Sequence, residues 1–447
     1  MSQSPNLSSM RNFLIIWAGQ LVSTIGSSMS SFAIAIWAWE ITGKATTLTL
    51  VGFFSLLPSI ALASISGSIV DRFNRKLLMM VGDTVAVLMT IILMLLYLTN
   101  HLQIWHLYLT SAIVGTFNQF QSLAYSASLS LLVPKQNYTR ASSLQFLSGY
   151  GSNIIAPALA GYLYQVIGLL GIWLIDISTF AIAISSLLFA RIPKPVQTNE
   201  HENYSHIWQG LGFGLRYILA RKSLLALLII TFLFWFAHDV GDSLYSAMIL
   251  SRTGNDTVVL GSLAAAAGFG GVTGAIIMST WGGFKKKING VLLGMIGAGL
   301  SKIVFGLGRT PWIWIPTQFC SSFNFPFNGS SDNAIWLAKV APHIQGRVFA
   351  AHSLVVQFGS AAAYLIAGPL ADNIFTPALA AGDGHVEIFG RIFGTNAGAG
   401  IALLYVICAA CMLLVGCAGF YIPQLRDVEK ILPDHDTTEY AQFNGEK

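Results

Sequence analysis

The segment LFWFAHDVGDSLY sets His238, Asp239 and Asp242 inside an otherwise apolar run. On a helix Asp242 lies three residues from Asp239 and four from His238, so it can reach either across one turn. Two carboxylates crowded with an imidazole are expected to share protons near neutral pH. An uncompensated charge in hydrocarbon costs at least about 3 kcal/mol and is kept only for a reason. The chemistry suggested is proton transfer that couples proton entry to substrate exit. Asp332 joins the candidates because Asn324, Asn328 and Asn333 converge with it in one span. If the helix ended early, the His238 cluster would instead be a solvated cap at the outer interface, and both readings remain open.

Other polar groups in apolar runs suggest a binding cavity. Gln20, Ser23, Thr24, Ser27 and Ser28 fall in one run, Asn118, Gln119 and Gln121 in another, with Asn153, Asn324, Asn328 and Gln357 elsewhere. Singly, such residues are helix-packing glue. Together with Phe32, Phe117 and Trp235 they would line a large, partly aromatic pocket for an amphipathic organic molecule. Asp83 and Asp176 are read as structural, paired with nearby cytoplasmic or backbone groups. Glu40 sits at an outer helix end, and Lys302 is expected to snorkel outward.

Enzymatic chemistry lacks its parts. The sequence contains no H-E-x-x-H or G-x-S-x-G, and Gly43-Lys44 is followed by Ala45 without the upstream Gly of a phosphate-binding loop. No nucleotide, metal or other cofactor is expected. Cys320, Cys408, Cys411 and Cys417 all lie in apolar segments, so Cys408-x-x-Cys411 reads as small buried hydrophobes.

These side chains must be positioned by membrane spans. Of the 447 residues 54% are hydrophobic and 10% charged, against about 25% charged in an average soluble domain. Mean hydropathy is +0.65. Apolar runs of span length occur at about 13–40, 47–70, 77–99, 104–132, 141–166, 169–190, 223–250, 257–281, 289–308, 311–337, 348–370 and 398–422. An all-α integral membrane protein of twelve transmembrane helices is predicted. The first run, from Phe13 to Trp39, has no small-residue cleavage site and reads as a retained span. Nineteen of the 24 Lys and Arg fall in loops on the side of the termini, which predicts both termini cytoplasmic. The formal charge of +5 is too small to argue for nucleic acid.

The chain divides into an N-terminal bundle (1–190), a linker (191–222) with an amphipathic helix on the membrane surface, a C-terminal bundle (223–422) and a cytoplasmic tail (423–447). The bundles look duplicated. Pro157 and Pro369 are 212 residues apart, Pro134 and Pro342 are 208 apart, and Arg75 and Lys287 are 212 apart. A nearly constant offset at three landmarks is what a repeated six-helix unit leaves. Two pseudo-symmetric six-helix bundles follow.

Between the second and third spans stands GSIVDRFNRK: Gly67, Asp71, Arg72, Arg75 and Lys76 at the offsets of G-x-x-x-D-R-x-G-R-K, with Asn74 where the pattern has Gly. The fifth span carries Ser152-x-x-x-Ala156-Pro157-x-x-Ala160-Gly161. Both resemble motifs of the major facilitator superfamily, the first its cytoplasmic gating loop and the second its antiporter motif, with small residues in place of three glycines. The membrane Arg of that family's fourth helix is replaced by Ser111 before Gly115. Gln20-x-x-Ser23-x-x-Gly26-Ser27, Trp37-x-x-Glu40-x-Thr42-Gly43, Gln345-Gly346-Arg347-Val348-Phe349 and Gly368-Pro369-Leu370-Ala371-Asp372 extend the resemblance to the drug and siderophore exporter branch, near macrolide-efflux and enterobactin-exporter proteins.

That resemblance implies a monomeric secondary exporter in a bacterial cytoplasmic (inner) membrane. It would exchange protons for an amphipathic small molecule, a siderophore or other secreted metabolite or a macrolide-like drug. Its partners would be the small molecule, protons and membrane lipid. An importer or lipid mover, and a non-transporting receptor or scaffold, are the rivals.

Overall fold

The computed structural model describes residues 7–133, 138–189, 205–381, 387–394 and 398–431, nearly all of them helical. The linker stretch 190–204 and the tail 432–447 lie outside the described residues. The chain forms two compact units, 1–200 with 253–265 and 201–252 with 266–447.

The first unit contains α1 (Leu7–Thr42), α2 (Ala45–Arg72), α3 (Arg75–Leu98), α4 (Ile104–Leu132) and α5 (Tyr138–Phe189). The bend in α5 is at Gly168, whose φ of 65° and ψ of −173° suit glycine alone. α5 therefore supplies two legs, as the apolar runs on either side of residue 168 predict. α1 packs along α5, while α4 packs on both α2 and α3. Trp173 is fully buried, and the Tyr97 ring stands edge-on to Trp37 and Trp173 at 6.4 and 5.7 Å.

The second unit runs from α6 (Ser205–Leu219) through α7 (Lys222–Thr253), α8 (Thr257–Trp281), α9 (Lys287–Leu307), α10 (Pro311–Lys339) and α11 (Pro342–Leu370). It ends with α12 (Thr376–Ala381), α13 (Glu387–Phe393), α14 (Ala399–Tyr421), α15 (Pro423–Arg426) and α16 (Val428–Ile431). Thr253 and the start of α8 belong to the first unit. α9 packs between α10 and α14. α6 seats one edge on α11: Ile218 is fully buried in a core with Leu224, Leu227 and Val348, and the Arg347 guanidinium lies 5.7 Å from the Phe213 ring centroid.

Among the described residues nine helices are long and apolar enough to cross a membrane. α4 and α10, 29 residues each, fall outside that group. They carry Asn118, Gln119 and Gln121, and Asn324, Asn328 and Asp332. With these two and both legs of α5 the count is twelve, as the sequence predicts. Trp105, Trp281, Trp312 and Tyr421, each more than half exposed, sit at helix ends, where aromatic side chains anchor a span at the membrane interface.

The segment after the last span is docked. Leu425 and Val428 are fully buried, and Glu429 accepts hydrogen bonds from the backbone N–H groups of Lys287 (3.1 Å) and Ile288 (3.3 Å). These are the first residues of α9, whose N-cap Lys286 makes no capping bond with its side chain. Glu429 thus supplies the acceptors that a helix N-terminus lacks. Lys339 Nζ donates to the Glu429 carbonyl at 2.9 Å and completes the clasp.

Candidate functional site

The first unit lines a half-open cavity of about 780 Å³. One face of α1 supplies Gln20, Thr24, Ser27, Ser28 and Ser31, residues spaced by three and four as a helix face requires. α3 adds Asp83 and Val87, and α4 adds Val114, Asn118, Gln121 and Tyr125, again at helical spacing. Phe32 and Phe180 give the cavity aromatic walls, and Pro157 of α5 also lines it.

Two carboxylates line this cavity, and neither has the partner the sequence reading assigned. Gln20 Nε2 and Gln121 Nε2 donate to Asp83, at 2.8 Å to Oδ2 and 2.5 Å to Oδ1. Ser27 Oγ donates to Asp176 Oδ1 at 3.1 Å, and Thr90 Oγ1 to Oδ2 at 3.0 Å. Side chains from α1, α3 and α4, not cytoplasmic or backbone groups, hold the pair. The signal was present in the spacing: Gln20 and Ser27 on α1 are seven apart, as are Asp83 and Thr90 on α3.

Of the other residues assigned to a cavity, Ser23 and Phe32 also line it. Gln119, half-buried on α4, is not among the lining residues, and the Asn153 side chain lies outside the described residues. Trp235, Asn324, Asn328 and Gln357 belong to the second unit. There Asn328 is buried and donates to the Val291 carbonyl at 3.2 Å, Asn324 donates to Cys320 O at 2.7 Å, and Gln357 donates to Ser353 Oγ at 2.8 Å. Of these three bonds the Asn328 one joins α10 to α9, while the other two run within α10 and within α11.

α7 does not end early. It continues eleven residues past Asp242 to Thr253, about 16 Å at 1.5 Å per residue, so the His238 cluster is mid-helix. His238 Nδ1 lies 3.2 Å from Asp239 Oδ1, and Ser360 Oγ of α11 donates to Asp239 Oδ2 at 2.5 Å. The imidazole sits against the Phe325 and Trp235 rings, with centroids 4.9 and 5.2 Å away. Asp242 turns from its helical neighbours toward Lys302 of α9, 3.5 Å from Oδ1 to Nζ. Lys302 does not snorkel outward. It is 3% exposed, and its ammonium lies 5.4 Å from the Tyr405 ring centroid. Paired with Asp242, it has no need of an aqueous exit. Asp332 is buried on α10, with Trp336 and Thr231 as its polar neighbours and Oδ1 lacking a hydrogen bond.

The family model of the Major Facilitator Superfamily matches residues 16–364. The chain belongs to that superfamily. Its members are membrane transporters, not enzymes, and their fold has twelve spans. Macrolide efflux protein A of Streptococcus pyogenes is 25% identical over 364 residues, covering 81% of this chain and 90% of that protein. The protein of the same name from Enterococcus faecalis is 24% identical, covering 68% and 93%. A bacterial homologue of the human lysosomal transporter Spinster superposes with a TM-score of 0.66 at 15% identity, covering 93% of this chain and 98% of that one. A bacterial homologue of the iron transporter ferroportin superposes at 0.65 and 14%, covering 93% and 100%. These structures establish the fold.

In this transporter the superfamily's gating loop has a local explanation for its departure. Asn74 caps α3: its backbone is extended and its Oδ1 accepts from the Lys76 N–H at 3.0 Å. Lys76 Nζ donates to Leu188 O, a carbonyl in the last turn of α5, at 3.2 Å. The side chains of Gly67, Asp71 and Arg72 lie outside the described residues. In the antiporter-like motif Ser152, Ala156, Ala160 and Gly161 are buried. Thr257, in the stretch 253–265 of the same unit, donates through Oγ1 to Gly161 O at 2.6 Å. Pro157 faces the cavity, so the motif connects helix packing to the cavity wall.

Proposed function

We propose that this transporter is a secondary exporter that moves an amphipathic small organic molecule out of the cell in exchange for protons, by alternating access. The observation that carries the reading is the first-unit cavity, in which hydroxyl, amide and carboxylate groups face aromatic and aliphatic walls. A volume near 780 Å³ suits a drug-sized molecule. The polar groups fix orientation and the walls supply apolar burial. Macrolide efflux proteins among the relatives support the outward direction and the amphipathic cargo.

Protons are assigned to the second unit. His238, Asp239, Asp242 and Asp332, on α7 and α10, are the candidate proton-carrying groups, and such groups in spans mark proton and ion pathways. Gly67, Asp71, Arg72, Arg75 and Lys76 are assigned to the cytoplasmic gate, with both termini on that side of the inner membrane.

Inverted membrane vesicles carrying the protein should accumulate a labelled macrolide when a proton gradient is imposed, and an uncoupler should abolish the uptake. Accumulation in right-side-out vesicles instead would make the protein an importer. Uptake indifferent to the uncoupler would remove proton exchange.

A further inference from the structure

We propose that the first-unit cavity selects an organic cation, with Asp83 and Asp176 as its two recognition groups. The inference rests on the exporter reading of the same cavity and narrows its cargo to amphiphiles carrying positive charge. Anionic cargo, such as a deprotonated metal chelator, is disfavoured.

Both carboxylates are built alike. Each is 5% exposed and lines the cavity, and each oxygen accepts one bond from a neutral side chain: Gln20 and Gln121 on Asp83, Ser27 and Thr90 on Asp176. A carboxylate oxygen has about two acceptor directions, so each of these keeps capacity beyond its one bonded donor. Among the described lining residues there is no Lys, Arg or His. The described lining therefore holds two acidic side chains and no basic one. Asparagine would satisfy the same packing and much of the same hydrogen bonding without the cost of an uncompensated charge, at least about 3 kcal/mol in a span. A carboxylate earns its place where a positive charge comes to meet it.

The spacing gives the ligand a shape. Gln20 and Ser27 on α1, and Asp83 and Thr90 on α3, are two turns apart, so the carboxylates stand about 10 Å apart along the helices at 1.5 Å rise per residue. Phe32, Val87, Val114 and Phe180 line the same space. A bulky cation can bury its apolar body on these walls and reach one carboxylate or both, with aromatic faces adding to the attraction. In the second unit, by contrast, Asp242 already has Lys302 as a counter-ion at 3.5 Å.

The test is binding of tritiated tetraphenylphosphonium to the purified full-length protein, beside tetraphenylborate, which has the same shape and the opposite charge. Saturable phosphonium binding is expected, with borate failing to compete. Asp83→Asn and Asp176→Asn should each weaken it by more than about tenfold, as truncating one partner of a buried charge pair does. Asp→Glu at either position should restore part of the loss. Competition by borate equal to that of phosphonium, no saturable phosphonium binding, or unchanged binding in folded Asn variants would overturn the proposal.

A second measurement needs no variant. Dicyclohexylcarbodiimide modifies carboxyl groups in apolar surroundings, and phosphonium should protect Asp83 and Asp176 from it as read by mass spectrometry. Unprotected modification at both sites would also overturn the proposal. The exporter reading fails separately: a protein that binds phosphonium but accumulates nothing in energised vesicles keeps its cation site and loses its assigned transport. Asn variants that extrude cationic and neutral amphiphiles as well as the unaltered protein would sink the cation site and leave export standing.

Discussion

Replacing Asp242 by Asn should destabilise the second unit more than replacing Lys302 by Met. The two charges are 3.5 Å apart, but their surroundings differ: the Lys302 side chain is 4% exposed and that of Asp242 is 45% exposed. At that separation Coulomb attraction is about 5 kcal/mol for an effective dielectric of 20 and about 1 kcal/mol in bulk water. With one partner buried and the other half open, a coupling of about 2 kcal/mol is expected after allowance for solvent screening. Asp242→Asn strands an ammonium in the packed interior, the situation that costs about 3–5 kcal/mol when a buried pair is broken. Lys302→Met replaces a long stem by an apolar one of similar length and leaves a carboxylate with room to be solvated. The double variant should recover much of the loss. Unfolding in mixed micelles of dodecyl maltoside and increasing dodecyl sulfate gives the four stabilities of the cycle. A coupling below about 0.5 kcal/mol, the range of independent sites, would refute the pairing, and so would a costlier Lys302→Met.

Substitutions at four further residues probe other contacts. Glu429→Ala should lower stability by about 1 kcal/mol through loss of the acceptors at the α9 N-terminus, read by the same unfolding assay. Asn74→Ala should cost about 1 kcal/mol as a lost cap, whereas Asn74→Gly, the residue usual in the superfamily, should cost only a few tenths. Gly214→Leu should loosen α6 from α11, because a Cβ there would stand 2.2 Å from the Arg347 carbonyl; faster amide exchange confined to 205–219 is the expected signature. Asp239→Asn, which removes the carboxylate held by His238 and Ser360, should abolish proton-driven efflux while leaving labelled-substrate exchange across the membrane, and intact proton-driven efflux would dispose of its coupling role.

The fold was legible because lipid imposes few options. Apolar length identified the spans, and the sequence break near residue 168 coincides with a left-handed glycine in α5. Charge position in a helix was also legible: His238 and Asp239 stand together in an apolar run, and they do touch. Partners across helices were not. Asp242 faces residues at i−3 and i−4 in sequence, yet its contact is Lys302, 60 positions away, because helix rotation is set by packing that no local pattern encodes. The linker helix reads as amphipathic, but its pattern does not show that Gly214 admits the Arg347 backbone of α11 at close range.

The same limitation hid the acids of the first unit. Singly, Asp83 and Asp176 look like isolated polar residues in apolar spans, and a structural role is then the economical assignment. Only the packing of α1, α3 and α4 reveals that each has been given two neutral donors. Their placement also shows how far the two repeats have diverged. At the repeat offset of 212 given by Pro157/Pro369 and Arg75/Lys287, Asp83 corresponds to Met295, and Asp239 and Asp242 correspond to Ser27 and Ser30. Lys302 corresponds to Thr90, a donor to Asp176. A repeated scaffold thus carries a neutral hydroxyl facing its acid in one copy and an ammonium facing its acid in the other. On the proposed assignment, the first copy leaves its negative charge for the cargo to neutralise, while the second neutralises Asp242 within the chain and keeps Asp239 for the proton. Introducing a lysine at Thr90 would test that division: Thr90→Lys should supply Asp176 with a resident cation and suppress tetraphenylphosphonium binding, with the stability of the second unit unchanged. Undiminished phosphonium binding in a folded Thr90→Lys protein would break the link between the missing counter-ion and the choice of cargo.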